Sequence, residues 1–131
     1  MRAVDTNVLV RLIARDDPAQ AALAEAFVAQ GAWVSHVVLA ETLWVLESVY
    51  DVDAAGRARA VEMLLGHRDL VLQDPEVVAR ALEHLRRRPT LGFSDCLLVE
   101  SANKAGHGPV GTFDRDLAKV AGTQLLGARS R

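Results

Sequence analysis

Cysteine is almost absent from this 131-residue chain, and aromatic residues are scarce. The one cysteine, Cys96, has no partner for an internal disulfide. That leaves out the stapled folds of small secreted proteins and points to a reducing, cytoplasmic setting. Long apolar runs are missing too: nothing reaches the roughly 18 residues that a membrane-spanning helix needs. Near the N-terminus Asp5 interrupts the apolar residues almost at once, so no secretory h-region is expected. Nor does one charge dominate. With 15 Lys+Arg against 17 Asp+Glu the formal charge is −2, which excludes a protein that holds polyanions by net charge alone. A nucleic-acid partner would require a local basic patch or a bound cation. Repeats, low-complexity tracts and Pro/Gly/Ser-rich linkers are also missing. Half of the residues are hydrophobic, enough for a continuous core, so residues 1–131 read as a single domain.

What is present is an alternation of short apolar runs and helical patterns. Ala3-Val4 leads into Asp5 as a short strand ending on an acid, and Thr6 or Asn7 is placed to cap a helix from Val8 to about Ala14. Asp17-Pro18 is a cap followed by proline at the first helical position, opening a pattern that runs to Gln30 before Gly31. Ala32-Trp33-Val34 reads as a strand, and Ser35 as the cap of an apolar helix from about His36 to Tyr50. A helix from Asp53 to Gly66, a strand at Leu70-Val71-Leu72 and a second Asp-Pro start at Asp74-Pro75 follow, the last predicting a helix to about Arg87. Ser94 is expected to cap a helix to Ala105, with Gly106 just past it. Pro109-Val110-Gly111 predicts a strand, Asp114 to Val120 a small helix, and Gln124-Leu125-Leu126 an edge strand. Strands alternating with helices predict an α/β domain with a central, mostly parallel sheet of four to five strands and helices on both faces. Ligands in such sheets sit beyond the carboxyl ends of the strands.

Two carboxylates fall at those ends: Asp5 after the first strand and Asp114 after Val110-Gly111-Thr112-Phe113. Either alone is more often a turn or capping residue. Glu41 interrupts an apolar helix, with Val37, Val38, Trp44 and Val45 at helical spacing, and a lone carboxylate on an apolar face is costly unless paired or metal-bound. Glu47 satisfies the same argument, so this ground does not choose between them. Asp95 follows Ser94 in the first helical turn, where an acid also simply favours the helix dipole. Gathered together, four carboxylates would repel, and a hard cation such as Mg²⁺ or Mn²⁺ relieves that repulsion while drawing in a phosphate.

The segments Val4-Asp5-Thr6-Asn7-Val8-Leu9, Ala40-Glu41, Phe93-Ser94-Asp95-Cys96-Leu97-Leu98 and Gly111-Thr112-Phe113-Asp114 together resemble the PIN domain. The nearest form is the compact bacterial one, the VapC toxins of toxin–antitoxin pairs. The resemblance covers essentially the whole chain. It implies a Mg²⁺- or Mn²⁺-dependent endoribonuclease that leaves 5′-phosphate and 3′-hydroxyl ends, a homodimer, and a cognate antitoxin that blocks the active site. It assigns catalysis and metal binding to Asp5, Glu41, Asp95 and Asp114, and support of those acids to Thr6, Asn7, Ser94 and Thr112. Asp116, two residues beyond Asp114, either joins the metal site or sits in the first turn of the last helix; the helical role is favoured.

The remaining chemistry-bearing residues read blandly. His36, His67, His84 and His107 form no ligand pair at helical spacing, and Cys96 reads as a small buried hydrophobe. Arg86-Arg87-Arg88 is the only dense basic run, either a solvated helix end favouring the dipole or an RNA-backbone contact. Trp33 and Trp44 read as core or dimer contacts. A phosphohydrolase acting on a small phosphorylated substrate is a rival, but the second acid expected two positions after the first is Asn7 here. A non-catalytic PIN-like binding protein is another, and it gains nothing from crowded carboxylates.

Overall fold

The computed structural model describes residues 1–127, so residues 128–131 of the expected domain lie outside the described region. Strand β1 (Arg2–Ala3) is followed by α1 (Thr6–Ala14) and α2 (Pro18–Val28). Next come β2 (Ala32–Val34), α3 (His36–Ser48), α4 (Ala54–Gly66), β3 (Leu70–Leu72), α5 (Pro75–Arg87) and α6 (Phe93–Ala105). β4 (Val110–Thr112), a single 3₁₀ turn at Leu117–Lys119 and β5 (Thr123–Leu125) complete the described chain.

The α/β class and the parallel pairing are as expected, and the five strands divide into two sheets. β1, β2 and β3 form one in that order, with Ala3 opposite Trp33 and Trp33 opposite Val71. β4 and β5 form the other, with Gly111 opposite Gln124. The period-two pattern shows why the register is firm. Ala32, Val34, Leu70 and Leu72 are buried on one face, while Val71 stays exposed, so a one-residue slip would turn buried side chains outward.

Several helices start where a short polar side chain takes up an orphan amide. The carboxylates of Asp17 and Asp53 accept from the N–H groups of Gln20 and Gly56, and the Ser35 hydroxyl accepts from Val38. Three expected boundaries are corrected. The first helix begins at Thr6 with Asp5 as its cap, instead of at Val8 with Thr6 or Asn7. The helix carrying Asp95 begins at Phe93 with Gly92 at the cap position, so Ser94 lies inside it and caps nothing. Phe93 is buried, and that anchorage brings it into the helix. The segment from Asp114 to Val120 forms only the 3₁₀ turn. Asp74 does occupy a cap position but makes no capping bond, because its carboxylate accepts instead from Lys104 Nζ at 2.6 Å.

One core cluster runs from Val4 to Val120 and draws on every helix from α1 to α6. α5 shows how a helix joins it: Val77, Val78, Ala81, Leu82 and Leu85 are buried at the spacing of a single helical stripe. Each such side chain, fully removed from water, contributes about 1.5–3 kcal/mol. α6 packs on α5 and on α3, and α3 packs in turn on α1. This chain of contacts joins the helices that carry Glu41 and Asp95 to the helix that Asp5 caps.

Candidate active site

Asp5 sits two residues beyond the end of β1 and caps α1, its Oδ1 accepting from the Val8 N–H at 3.2 Å. The next residue, Thr6, donates its hydroxyl hydrogen to the Glu41 carboxylate. This bond joins the start of α1 to the middle of α3, across 35 residues of sequence. Glu41 itself lies on the exposed face of α3, which corrects the expectation of a carboxylate on a buried apolar face. The apolar neighbours that suggested burial include Val37 and Trp44, which are 77% and 64% exposed. Trp44 is therefore not a core residue. The structure also separates the two glutamates that the sequence left level. Glu47 Oε2 faces the Arg57 guanidinium at 3.8 Å, whereas Glu41 meets Thr6.

α6 carries Asp95 in its first turn, half-buried and within reach of the Asp114 charge. Burial, and after it the Asp114 charge, pushes the Asp95 carboxyl above its ordinary range. Asp114 is held in a tight turn after β4. Its N–H donates to the Thr112 hydroxyl at 3.0 Å, and its Oδ1 accepts from the amides of Asp116 and Leu117 at 2.8 and 3.2 Å. Asp116 is placed at the start of the 3₁₀ turn, with Oδ2 accepting from the Thr90 hydroxyl at 2.6 Å. Thr90 was not singled out by sequence reasoning. It lies 26 residues from its partner with no periodic signal around it, so only the fold reveals the contact.

The structure thus links the segment of Asp5 to Glu41 through Thr6, and the Asp114 charge acts on Asp95. α3 and α6, which carry Glu41 and Asp95, pack on each other, and a small pocket at that contact is lined by Ala40, Glu47, Arg57 and Ser94 and by none of the four acids. Asn7 is exposed beside Asp5 in the groove between α1 and α2. Asn7 and Ser94 make no side-chain hydrogen bond among the described residues. Cys96, one residue past Asp95, is fully buried and its thiol is pushed up to about 11 by burial and by the Asp95 charge. It is inert packing. Two histidines are engaged across the fold: His84 Nε2 lies 2.6 Å from Glu100 Oε2, and His36 Nε2 lies 2.7 Å from the Gln73 carbonyl.

Among the described residues, no group of three or more His, Cys, Asp or Glu side chains is gathered closely enough to hold a metal ion by itself. The donors present are nonetheless all carboxylate oxygens. Asp5, Glu41 and Asp114 are exposed and leave room for water. Mg²⁺ is commonly held by one or two carboxylates, retained waters and a substrate phosphate, so the chemistry of this donor set fits such an ion.

The family model described as PIN domain matches residues 2–123 of the chain. Comparisons with curated proteins and with solved structures found no match.

Proposed function

The chain belongs to the PIN-domain family, and on that premise we propose that it is a metal-dependent endoribonuclease, the toxin of a toxin–antitoxin pair. The family's general activity, cleavage by a metal-dependent nuclease, is the starting point. The observation that carries the reading for this chain is the Thr6–Glu41 hydrogen bond, which ties the segment of Asp5 to the helix of Glu41 across 35 residues of sequence, beside an Asp95 carboxyl raised by burial and by the Asp114 charge.

In this reading Asp5, Glu41, Asp95 and Asp114 hold Mg²⁺ or Mn²⁺. When bound, the ion stabilises the charge that develops as the phosphodiester is displaced. The rest of the work falls to the chain's own side chains. The Thr6 hydroxyl orients Glu41, and the Thr112 hydroxyl and the amides of Asp116 and Leu117 fix Asp114. The exposed carboxylates leave the phosphate an open approach. Asn7 and Ser94 border the same region, and Asp116 serves the turn through Thr90 and its own amide.

RNA as substrate, 5′-phosphate and 3′-hydroxyl products, a cytoplasmic location, a homodimer and a cognate antitoxin complete the proposal. Exposed Val37 and Trp44 on α3 and Leu98 on the adjoining α6 support a partner, since water-exposed apolar residues of this size favour being covered. The test is incubation of total cellular RNA with the purified protein and Mg²⁺ or Mn²⁺, beside Asp5→Asn and an EDTA control. Discrete fragments that vanish in both controls are expected. Cleavage by Asp5→Asn at the full wild-type rate would overturn the site assignment.

A further inference from the structure

The basic run Arg86-Arg87-Arg88 is not one feature in space. Arg86 turns toward α4, where its guanidinium meets Glu62 at 3.4 Å. Arg87 and Arg88 turn the other way and line a pocket with His84, Lys119, Val120 and Ala121. The pocket has a volume of ≈ 320 Å³, at the lower end of ligand-sized cavities. Arg87, Arg88 and Lys119 have no carboxylate partner among the described residues. The helix dipole accounts for arginines in the last turn of α5. It does not account for Lys119, which comes from another element and closes the same cavity.

We propose that this pocket holds a backbone phosphate of the nucleic-acid strand whose scissile bond lies at the acidic site. The inference rests on the nuclease reading above and extends it to the path of the strand. The two sites share one loop. Arg88 is two residues from Thr90, whose hydroxyl bonds Asp116, whose amide in turn bonds Asp114. Lys119 lies five residues from Asp114, a reach of at most about 18 Å for a fully extended chain and less for this turn. A strand seated in the pocket therefore passes Asp114 within a few nucleotides. The chain is net negative, so a local cluster of cations supplies, beside a bound metal ion, the attraction for a polyanion that net charge does not. Small Ala121 and Val120 leave that cluster open enough to admit a phosphate. His84 contributes its ring edge only, because its Nε2 is taken by Glu100.

The experiment measures binding of a fluorescent single-stranded RNA by anisotropy, in EDTA, at several salt concentrations. It compares the full chain with Arg87→Gln/Lys119→Gln and with Arg68→Gln/Arg86→Gln. The second double variant makes the same charge change outside the pocket. The pocket variant is expected to bind roughly ten-fold more weakly at low salt and to lose about 1.4 from its salt slope, near 0.7 for each phosphate contact. The control variant should stay within about two-fold of the parent. Melting curves and an Arg87→Lys variant, which should retain binding, separate lost contact from lost fold. Equal weakening of both doubles, no weakening of either, no RNA binding by the parent, or tighter binding of a polyglutamate peptide than of RNA would each overturn the proposal. Absence of metal-dependent cleavage, with binding still dependent on Arg87 and Lys119, would sink the nuclease reading and leave the pocket standing as a nucleic-acid site.

Discussion

Asp95 condenses the logic of the site into one side chain. Its place in the first turn of α6 favours the negative charge, while burial and the Asp114 charge oppose it, and the net effect is a carboxyl raised above its ordinary range. The sign for stability follows. Between the ordinary aspartate value, about 3.9, and the higher folded value, the folded state binds the proton more tightly than the unfolded chain. Stability from this group therefore falls as pH rises through that window and stays reduced above it. Asp95→Asn removes the penalty, so in EDTA at pH 7 the variant should melt higher than the parent. The gap should close as the pH is lowered below the ordinary aspartate range. A variant that melts lower at pH 7 would mean that the dipole or an unrecognised partner outweighs burial. Activity should move the opposite way, to near zero in the RNA cleavage assay, because the charge that costs stability is the one a cation needs.

α3 shows the same division of labour along a whole element. One face carries Leu39, Leu43 and Leu46, each buried, and the other carries Val37, Glu41 and Trp44, each exposed. Leu39→Ala removes a side chain that is 1% exposed and should cost about 2–5 kcal/mol in a denaturant titration. Val37→Ala on the other face should stay within about 0.5 kcal/mol. Similar losses at both positions would show that a partner, such as a second copy of the chain, covers Val37 in solution. The same helix marks where sequence reading succeeded and where it stopped. Ser35 was readable as its cap because a hydroxyl before an apolar run has one local job, and the structure shows that bond. The cap at Asp17 was readable for the same reason, and at Asp53, read as the start of a helix, the structure adds the capping bond. The environment of Glu41 was not, because periodicity reports which residues share a face and not what that face meets. Val37 and Trp44 look like core in sequence and lie in water in the fold. Phe93 was missed as a helix start for a related reason: its burial is decided by tertiary contact, and a Ser-Asp pair beside it mimics a cap. The split of five strands into two sheets also left no trace in the short apolar runs. The carboxylates at the strand ends were visible in the local pattern, and it was the resemblance across several segments that set them apart from ordinary caps and turns.

At the scale of the molecule, these local effects share one core. The hydrophobic cluster runs from Val4, next to Asp5, to Val120, beyond Asp114, and includes the buried residues of the helices between them. Binding at the acids is therefore expected to register as global stability instead of a local change. A cation that binds the folded chain alone stabilises it by about 2.7 kcal/mol at a hundred times its dissociation constant. For a chain of this size that is a rise in melting temperature on the order of 10 °C. The gain should appear with Mn²⁺ or Mg²⁺, reverse with EDTA, and fail with NaCl at matched ionic strength, since screening alone relieves repulsion between exposed carboxylates only weakly. It should shrink sharply in Asp95→Asn and Asp114→Asn, which halve the opposed pair, and persist in Glu47→Gln, whose carboxylate faces Arg57 instead. A rise of equal size in all three variants would place the ion elsewhere on the surface. No rise in the parent, at millimolar metal and with the chain folded, would remove the cation from the site and the hydrolytic chemistry with it. The metal titration thus decides whether the four acids form a working centre or only share a region of the fold.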